Sequence, residues 1–317
     1  MRGLVRTVRG DLPPGELGVT DAHDHLLLET PAFTGGPLDR EPTASAMARD
    51  FKAAGGQTLV QWTPPGMGRR AEWLPGIAAR TGVHIIAATG LHQARHYTAT
   101  AQARPRWPAA LEPAALAALF TEELTVGMRR DDGAPDPAAA PARAGVIKVA
   151  AGYHGTDEHE RRALDAAGAA HRATGAPVCV HLELGTHGPA VLARLEAAGV
   201  PPKHVILGHL ARNPDAALHT ELAASGAYLA YDGPRRDTHA TDWRLGDLVR
   251  ALLEAGHGDR IMLGADTPTA DRRAPNGGPG PAALLTDTAA ALARRVGEDA
   301  VHTILAVNPG RAFAWRG

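Results

Sequence analysis

Lysine is almost missing from this chain of 317 residues. Of its 33 cationic side chains only Lys52, Lys148 and Lys203 are lysines, and arginine carries the rest. A chain that keeps lysine off its surface makes a lysine inside an apolar segment conspicuous. Cysteine is scarcer still. The single Cys179 excludes an intramolecular disulfide and every cysteine-based zinc module. Aromatic residues reach only 4 %. The formal net charge is −1 with no basic stripe, which argues against nucleic acid as the main partner. No apolar run approaches the roughly 18 residues needed to span a bilayer. The stretch from Met1 to Thr20, with Arg2, Arg6, Arg9, Asp11 and two prolines, does not resemble a signal peptide. A soluble cytoplasmic protein without a membrane partner is the expectation. What the chain has in abundance is histidine: sixteen, the usual nitrogen ligand of divalent transition metals.

Short apolar, β-rich runs alternate with Ala- and Leu-rich helical stretches, the rhythm of repeated βα units. Eight candidate strands cover 18–22, 57–62, 84–89, 145–149, 177–182, 204–207, 227–230 and 261–263. Helices are expected over 44–54, 112–127, 158–174, 188–198, 214–225 and 247–255, with another over 281–296 after the last strand. Apolar residues at three and four spacing, such as Leu245, Leu248, Val249, Leu252 and Leu253, support them. Eight such units fit an α/β protein with a (β/α)8 TIM barrel as one domain over 1–317. An open doubly wound sheet is the competing arrangement, but no Gly-x-Gly-x-x-Gly loop follows the first strand. The Pro-, Ala- and Asp-rich segment 131–144 reads as a low-complexity surface insertion, because the βα rhythm resumes directly after it.

In a barrel of this kind functional groups sit at the C-terminal ends of the strands. Strand one runs into His23 and His25, which alternation places on one face. Strand four carries Lys148, strand five ends in His181, strand six in His209 and strand eight in Asp266. Five of eight strands thus supply a metal-ligand candidate. An ammonium has no lone pair and cannot ligate a metal. A lysine amine that has reacted with CO2 is different, since the carbamate is a two-oxygen anion able to bridge two cations that four neutral imidazoles leave under-neutralised.

These residues, in this order, resemble the phosphotriesterase-like branch of the amidohydrolase superfamily nearly end to end. The similarity is carried by Arg6-Thr-Val-Arg-Gly10, Glu16-Leu-Gly18, His23-Asp-His-Leu26, Val146-Ile-Lys148 and His181-Leu-Glu183. It continues through Gly208-His209 with Arg212-Asn-Pro-Asp215, Leu263-Gly-Ala-Asp266 and the closing Asn308-Pro-x-Arg311-x-Phe313. The resemblance implies a binuclear centre, usually of two Zn2+ ions. His23, His25 and Asp266 would hold the more buried ion and His181 and His209 the more exposed one, with N6-carboxylated Lys148 and a hydroxide bridging them. Two such ions lower the pKa of the shared water and polarise the bond under attack. Asp266 would take the proton. Asp24 stands where the family often has Glu, and Ala211 where an Asp is common; neither removes an implied ligand.

The substrate is less determined, because family members cleave phosphotriesters, lactones or carboxylic esters with one metal core and vary the loops. After strand three, His92, His96 and Tyr97 are candidates to line the mouth. After strands seven and eight, Arg235, Arg236, Arg272 and Arg273 cluster, and arginine suits bidentate binding of phosphate or carboxylate. Those two loops resemble the subgroup that opens lactones of sugar acids. The expectation is a zinc-dependent hydrolase that attacks a lactone or carboxylic ester of a small anionic molecule. A phosphotriester hydrolase is the alternative within the family, and a non-catalytic zinc-binding barrel the alternative outside it. The resemblance also implies a homodimer. The tryptophans read as packing residues, Cys179 as a thiol directed away from the His181 face or into the barrel wall, and His171, His204, His219, His257 and His302 as exposed.

Overall fold

A computed structural model of the chain describes residues 3–98, 106–138, 141–233, 241–273 and 276–315. A short antiparallel hairpin comes first, β1 (Val5–Thr7) and β2 (Gly10–Leu12). Eight parallel strands follow: β3 (Thr20–Asp24), β4 (Thr58–Gln61), β5 (His84–Gly90), β6 (Val146–Ala151), β7 (Val178–Leu182), β8 (Val205–Gly208), β9 (Tyr228–Asp232) and β10 (Ile261–Gly264). Each is hydrogen-bonded to the next in sequence order, and β10 returns beside β3. With helices between the strands this is the (β/α)8 barrel expected of the βα rhythm. Among the described residues no helix is long and apolar enough to cross a membrane.

The two-residue period of the strands divides the core into an inner and an outer layer. Ala22, Val60, Trp62, Ile86, Ala88, Val146, Cys179, Ile206, Ala230 and Met262 fill the barrel interior. Residues of the opposite parity, such as Ile85, Ile147, Val149, Val180 and Leu229, pack outward beneath the helices. Cys179 therefore sits inside the barrel rather than in its wall, where burial pushes its thiol pKa up and keeps it protonated.

The helices on the outside are α1 (Glu41–Ala53), α2 (Leu74–Thr81), α3 (Pro113–Thr125), α4 (Glu158–Thr174), α5 (Gly188–Ala197), α6 (Ala216–Ala224), α7 (Leu245–Glu254) and α8 (Ala290–Val296). α4 shows why its bounds were readable. Asp157 and Glu160 form a reciprocal capping box at its start, and Gly175 closes it at φ 79°. The helix expected over 281–296 is instead a π-helical segment, Leu284–Ala289, running into α8. The described residues 131–138 are exposed or half-buried, and the segment is anchored at its first residue. The Asp131 carboxylate accepts N–H groups from Gly66, Arg69 and Arg70, pinning it to the loop after β4. Beside it the fully buried Arg69 guanidinium pairs with Glu123 at 2.8 Å.

At the seam between β3 and β10, side chains do much of the work of a ladder. Asp266 N–H donates to His23 O at 2.8 Å. Asp21 Oδ1 accepts from Ala265 N–H at 3.0 Å. Asp24 Oδ1 accepts both the N–H and the hydroxyl of Thr267, at 2.8 and 2.6 Å. The strands approach so closely that a Cβ on Gly264 would meet the His23 Cβ at 2.7 Å.

Candidate metal centre

The C-terminal ends of the strands bring His23, His25, Lys148, His181, His209 and Asp266 to one cavity of about 150 Å³. All six residues expected from the strand ends meet there, and all but His181 are buried. Two of them, His209 at φ 64° and Asp266 at φ 45°, hold left-handed backbone conformations that non-glycine residues seldom adopt. Such strain, of order 1–3 kcal/mol per residue, persists where the surrounding structure enforces it and clusters at functional sites.

Hydrogen-bond partners fix which ring nitrogen of each histidine faces inward. His23 Nδ1 and His209 Nδ1 lie 2.6 and 2.7 Å from the two oxygens of Asp232, and His209 N–H reaches the same carboxylate at 2.9 Å. Burial alone would raise the Asp232 pKa, but the two imidazoles outweigh it and hold the group below the usual carboxylate range. An ionised carboxylate only accepts, so both Nδ1 atoms carry the proton and both Nε2 atoms keep a lone pair. The Thr63 hydroxyl donates to Leu27 O at 2.7 Å, so it accepts from His25 Nδ1 at 2.8 Å and frees His25 Nε2. Glu183 accepts from His181 Nε2 at 3.2 Å, which frees His181 Nδ1.

Those freed nitrogens converge. His209 Nε2 and His181 Nδ1 are 2.7 Å apart. Two lone pairs at that distance repel unless a cation draws both. His23 Nε2 and His25 Nε2 face Asp266 at 3.7 and 3.5 Å. Ligand atoms of His23, His209, Asp232 and Asp266 lie within 4.8 Å of one another. Burial holds the pKa of His23 below its ordinary value and that of His25 at about 4, so both stay neutral and able to ligate. Neutral imidazoles with inward lone pairs and the Asp266 carboxylate, backed by Asp232 as an outer partner, form a donor set that fits divalent transition metals. Lys148 is buried among them, and burial lowers its amine pKa to about 7.

Trp62 stacks on the His23 ring at 3.7 Å between centroids. It is a packing residue, but the residue it packs is one of the site's own.

The loop candidates divide. His92 and His96 are buried and line the cavity. Tyr97 is fully buried away from it, its hydroxyl accepting the His92 N–H at 3.0 Å, so it braces the loop rather than lining the mouth. Arg273, 1 % exposed, donates through Nη2 to the carbonyls of His25 and Thr267 and lines a different cavity from the one that gathers the imidazoles. Arg272 is half-buried beside Asp271, outside the cavity lining. Arg235 and Arg236 lie outside the described residues. His171 and His219 are buried rather than exposed.

Three residues that the strand-end reading passed over prove central to the geometry. Asp232 orients two imidazoles, Glu183 orients a third, and Arg95 pairs with Glu183 at 2.7 Å. The signal for Asp232 was a carboxylate at the end of an otherwise apolar strand.

The phosphotriesterase family model matches residues 3–313. A phospho-furanose lactonase of Mycoplasmopsis synoviae is 30 % identical over 277 residues, covering 83 % of this chain and 76 % of that one. The N-acetyltaurine hydrolase of Bos taurus is 28 % identical, covering 98 % and 97 %. A solved lactonase from Listeria monocytogenes superposes with a TM-score of 0.88 at 23 % identity, covering 99 % of this chain and all of that one, a likeness of fold.

Proposed function

The chain belongs to the phosphotriesterase family, and from that premise we propose that it is a metal-dependent hydrolase of lactones or carboxylic esters, acting on a small anionic substrate. One observation carries the reading: the four imidazoles are each held by an outer partner so that a lone pair faces inward, and two of those lone pairs meet at 2.7 Å.

His23, His25 and Asp266 would hold one ion and His181 and His209 the other, both Zn2+. When bound, the pair lowers the pKa of water and polarises a carbonyl. Asp266, facing His23, His25 and His209 at 3.5 to 3.7 Å, is placed to accept the proton released by the attacking water. Lys148 would bridge the ions as a carbamate. Its amine, buried and with its pKa near 7, is substantially neutral at physiological pH, the form that attacks CO2. An N–C bond then forms as one C=O π bond of CO2 opens onto oxygen, one proton leaves the nitrogen, and a neutral side chain becomes an anionic one. Trp62, stacked on His23, and Asp232, shared by His23 and His209, keep the rings in place while charge builds in the cavity. The lactonase name of one relative supports a carbonyl substrate.

The test is an assay of protein loaded with zinc and bicarbonate against sugar-acid lactones, aryl esters and paraoxon. Turnover of the lactones or esters is expected, abolished in Lys148→Ala and partly restored there by short carboxylic acids. Turnover of paraoxon alone would make the protein a phosphotriester hydrolase instead. A folded protein that binds no zinc and hydrolyses nothing would leave only a barrel without catalysis.

A further inference from the structure

Among the described residues, the cavity that gathers the imidazoles is lined by one arginine only, Arg95, in the loop after β5. Its placement is built rather than incidental. Arg95 Nη2 donates to Glu183 Oε2 at 2.7 Å across the mouth, and the same oxygen receives His181 Nε2 at 3.2 Å. A guanidinium has five N–H donors in a planar fork, and a single contact to Glu183 leaves the Nε and Nη1 donors for another partner. The side chain is half exposed, so it is open to an incoming anion.

The arginines expected to bind such a group sit elsewhere. Arg273 places its Nη2 on two backbone carbonyls and lines a different cavity, and Arg272 lies outside the lining of the one around the imidazoles. The 150 Å³ around the imidazoles has little room for a whole substrate, and Leu28, Phe33 and Pro268 separate it from a second cavity of about 340 Å³ that they also line. That second cavity holds Arg106 and Glu29.

We propose that Arg95, steadied by Glu183, is the anion receptor of this site and selects lactones or esters that carry a phosphate or carboxylate. The proposal rests on the hydrolase reading above for the reaction, though not for the binding. Because Glu183 Oε2 accepts from both, the arginine that holds the anion and the imidazole of His181 are positioned by one carboxylate oxygen.

The experiment compares kcat/KM of the zinc- and bicarbonate-loaded protein on a pentono-γ-lactone, its 5-phosphate, and the corresponding lactone bearing a carboxylate. The wild-type chain is expected to favour an anionic lactone at least tenfold, and the two anionic arms show which group it prefers. In Arg95→Gln that preference should fall towards one, mainly through KM, while Arg95→Lys keeps part of it. A preference unchanged in Arg95→Gln, or one lost in Arg106→Gln instead, overturns the assignment. If the wild-type chain opens none of the lactones, the hydrolase reading fails by itself. Arg95 is then judged by calorimetric titration with inorganic phosphate and with acetate. Binding at least tenfold weaker in Arg95→Gln than in wild type sustains the receptor, and equal or absent binding removes it.

Discussion

Asp232 governs two rings at once, and that makes it the most sensitive single atom group outside the inward-facing donors. In Asp232→Asn one amide oxygen can still accept an Nδ1–H, but the NH2 group faces the other imidazole and donates to its Nδ1. That ring must then carry its proton on Nε2 and lose the inward lone pair. Zinc affinity measured by chelator competition should fall about 10- to 100-fold, the usual range for outer partners of metal ligands. A variant with undiminished affinity would show that Asp232 only packs. Residues of this sort are hard to read from a sequence. His23, His25, His181, His209, Asp266 and Lys148 could be found because side chains at strand ends have one place to point. Asp232 lies at a strand end too, but in a strand whose end, by its apolar run, falls at Ala230 rather than Asp232. Arg273 and Tyr97 misled for the opposite reason. Loop chemistry suggests exposure, and only the folded chain shows that one is buried on two carbonyls and the other on a backbone N–H.

At the scale of elements, α6 is held against β9 by a polar contact inside the packing. The Tyr231 hydroxyl meets His219 Nδ1 at 2.8 Å, with both residues fully buried. Burial depresses the His219 pKa from an ordinary 6.5 to about 4. Between those values the unfolded chain binds a proton that the folded chain refuses. Stability contributed here is therefore complete above about pH 6.5 and is lost as pH falls towards 4, by at most about 3 kcal/mol. Urea midpoints at pH 7 and pH 4.5 check this. The acid-induced drop should shrink in His219→Gln, which can still accept the tyrosine hydroxyl without charging, and an identical drop would assign the pH dependence to other groups. The helices carried the clearest sequence signals, α4 above all, since its capping box and closing glycine are local. The β1–β2 hairpin left no such mark. Three-residue strands show no periodicity, and their pairing depends on the barrel base, where Arg6 stacks over Trp315 at 4.1 Å and Trp315 Nε1 donates to Gly145 O. Nor did the sequence show the π-helical segment before α8, because its apolar spacing is compatible with an ordinary helix over six residues.

For the whole molecule the eightfold rhythm was legible because a parallel barrel repeats one unit, and every strand must alternate between an inner layer and a helix-covered outer one. Where the cylinder meets itself was not. The ligand candidates lie on both sides of that junction, His23 on β3 with His25 just after it, and Asp266 just after β10. Two metal ions at even 100 times their dissociation constant would each add about 2.7 kcal/mol to folding. Removing zinc with a chelator should accordingly lower the thermal midpoint by several degrees, and the hydrogen-exchange protection lost should concentrate at Ala265, Asp266 and Thr267 N–H. Uniform loss across the barrel would separate the metal from the seam. Gly264→Ala, which forces the same two strands apart at the His23 Cβ, should lower the midpoint further and weaken zinc binding with it.

The junction held by Asp21, Asp24 and the His23 carbonyl can also be seen as a clasp on a hoop, which ions held by His23, His25 and Asp266 would pin. A hoop unpinned at one point exposes two strand edges that every other strand in the cylinder keeps covered, and bare edges invite proteases and self-association. Nutrient supply then reaches beyond turnover: when divalent metal runs short, the cell would hold not an idle population of this protein but a shrinking one.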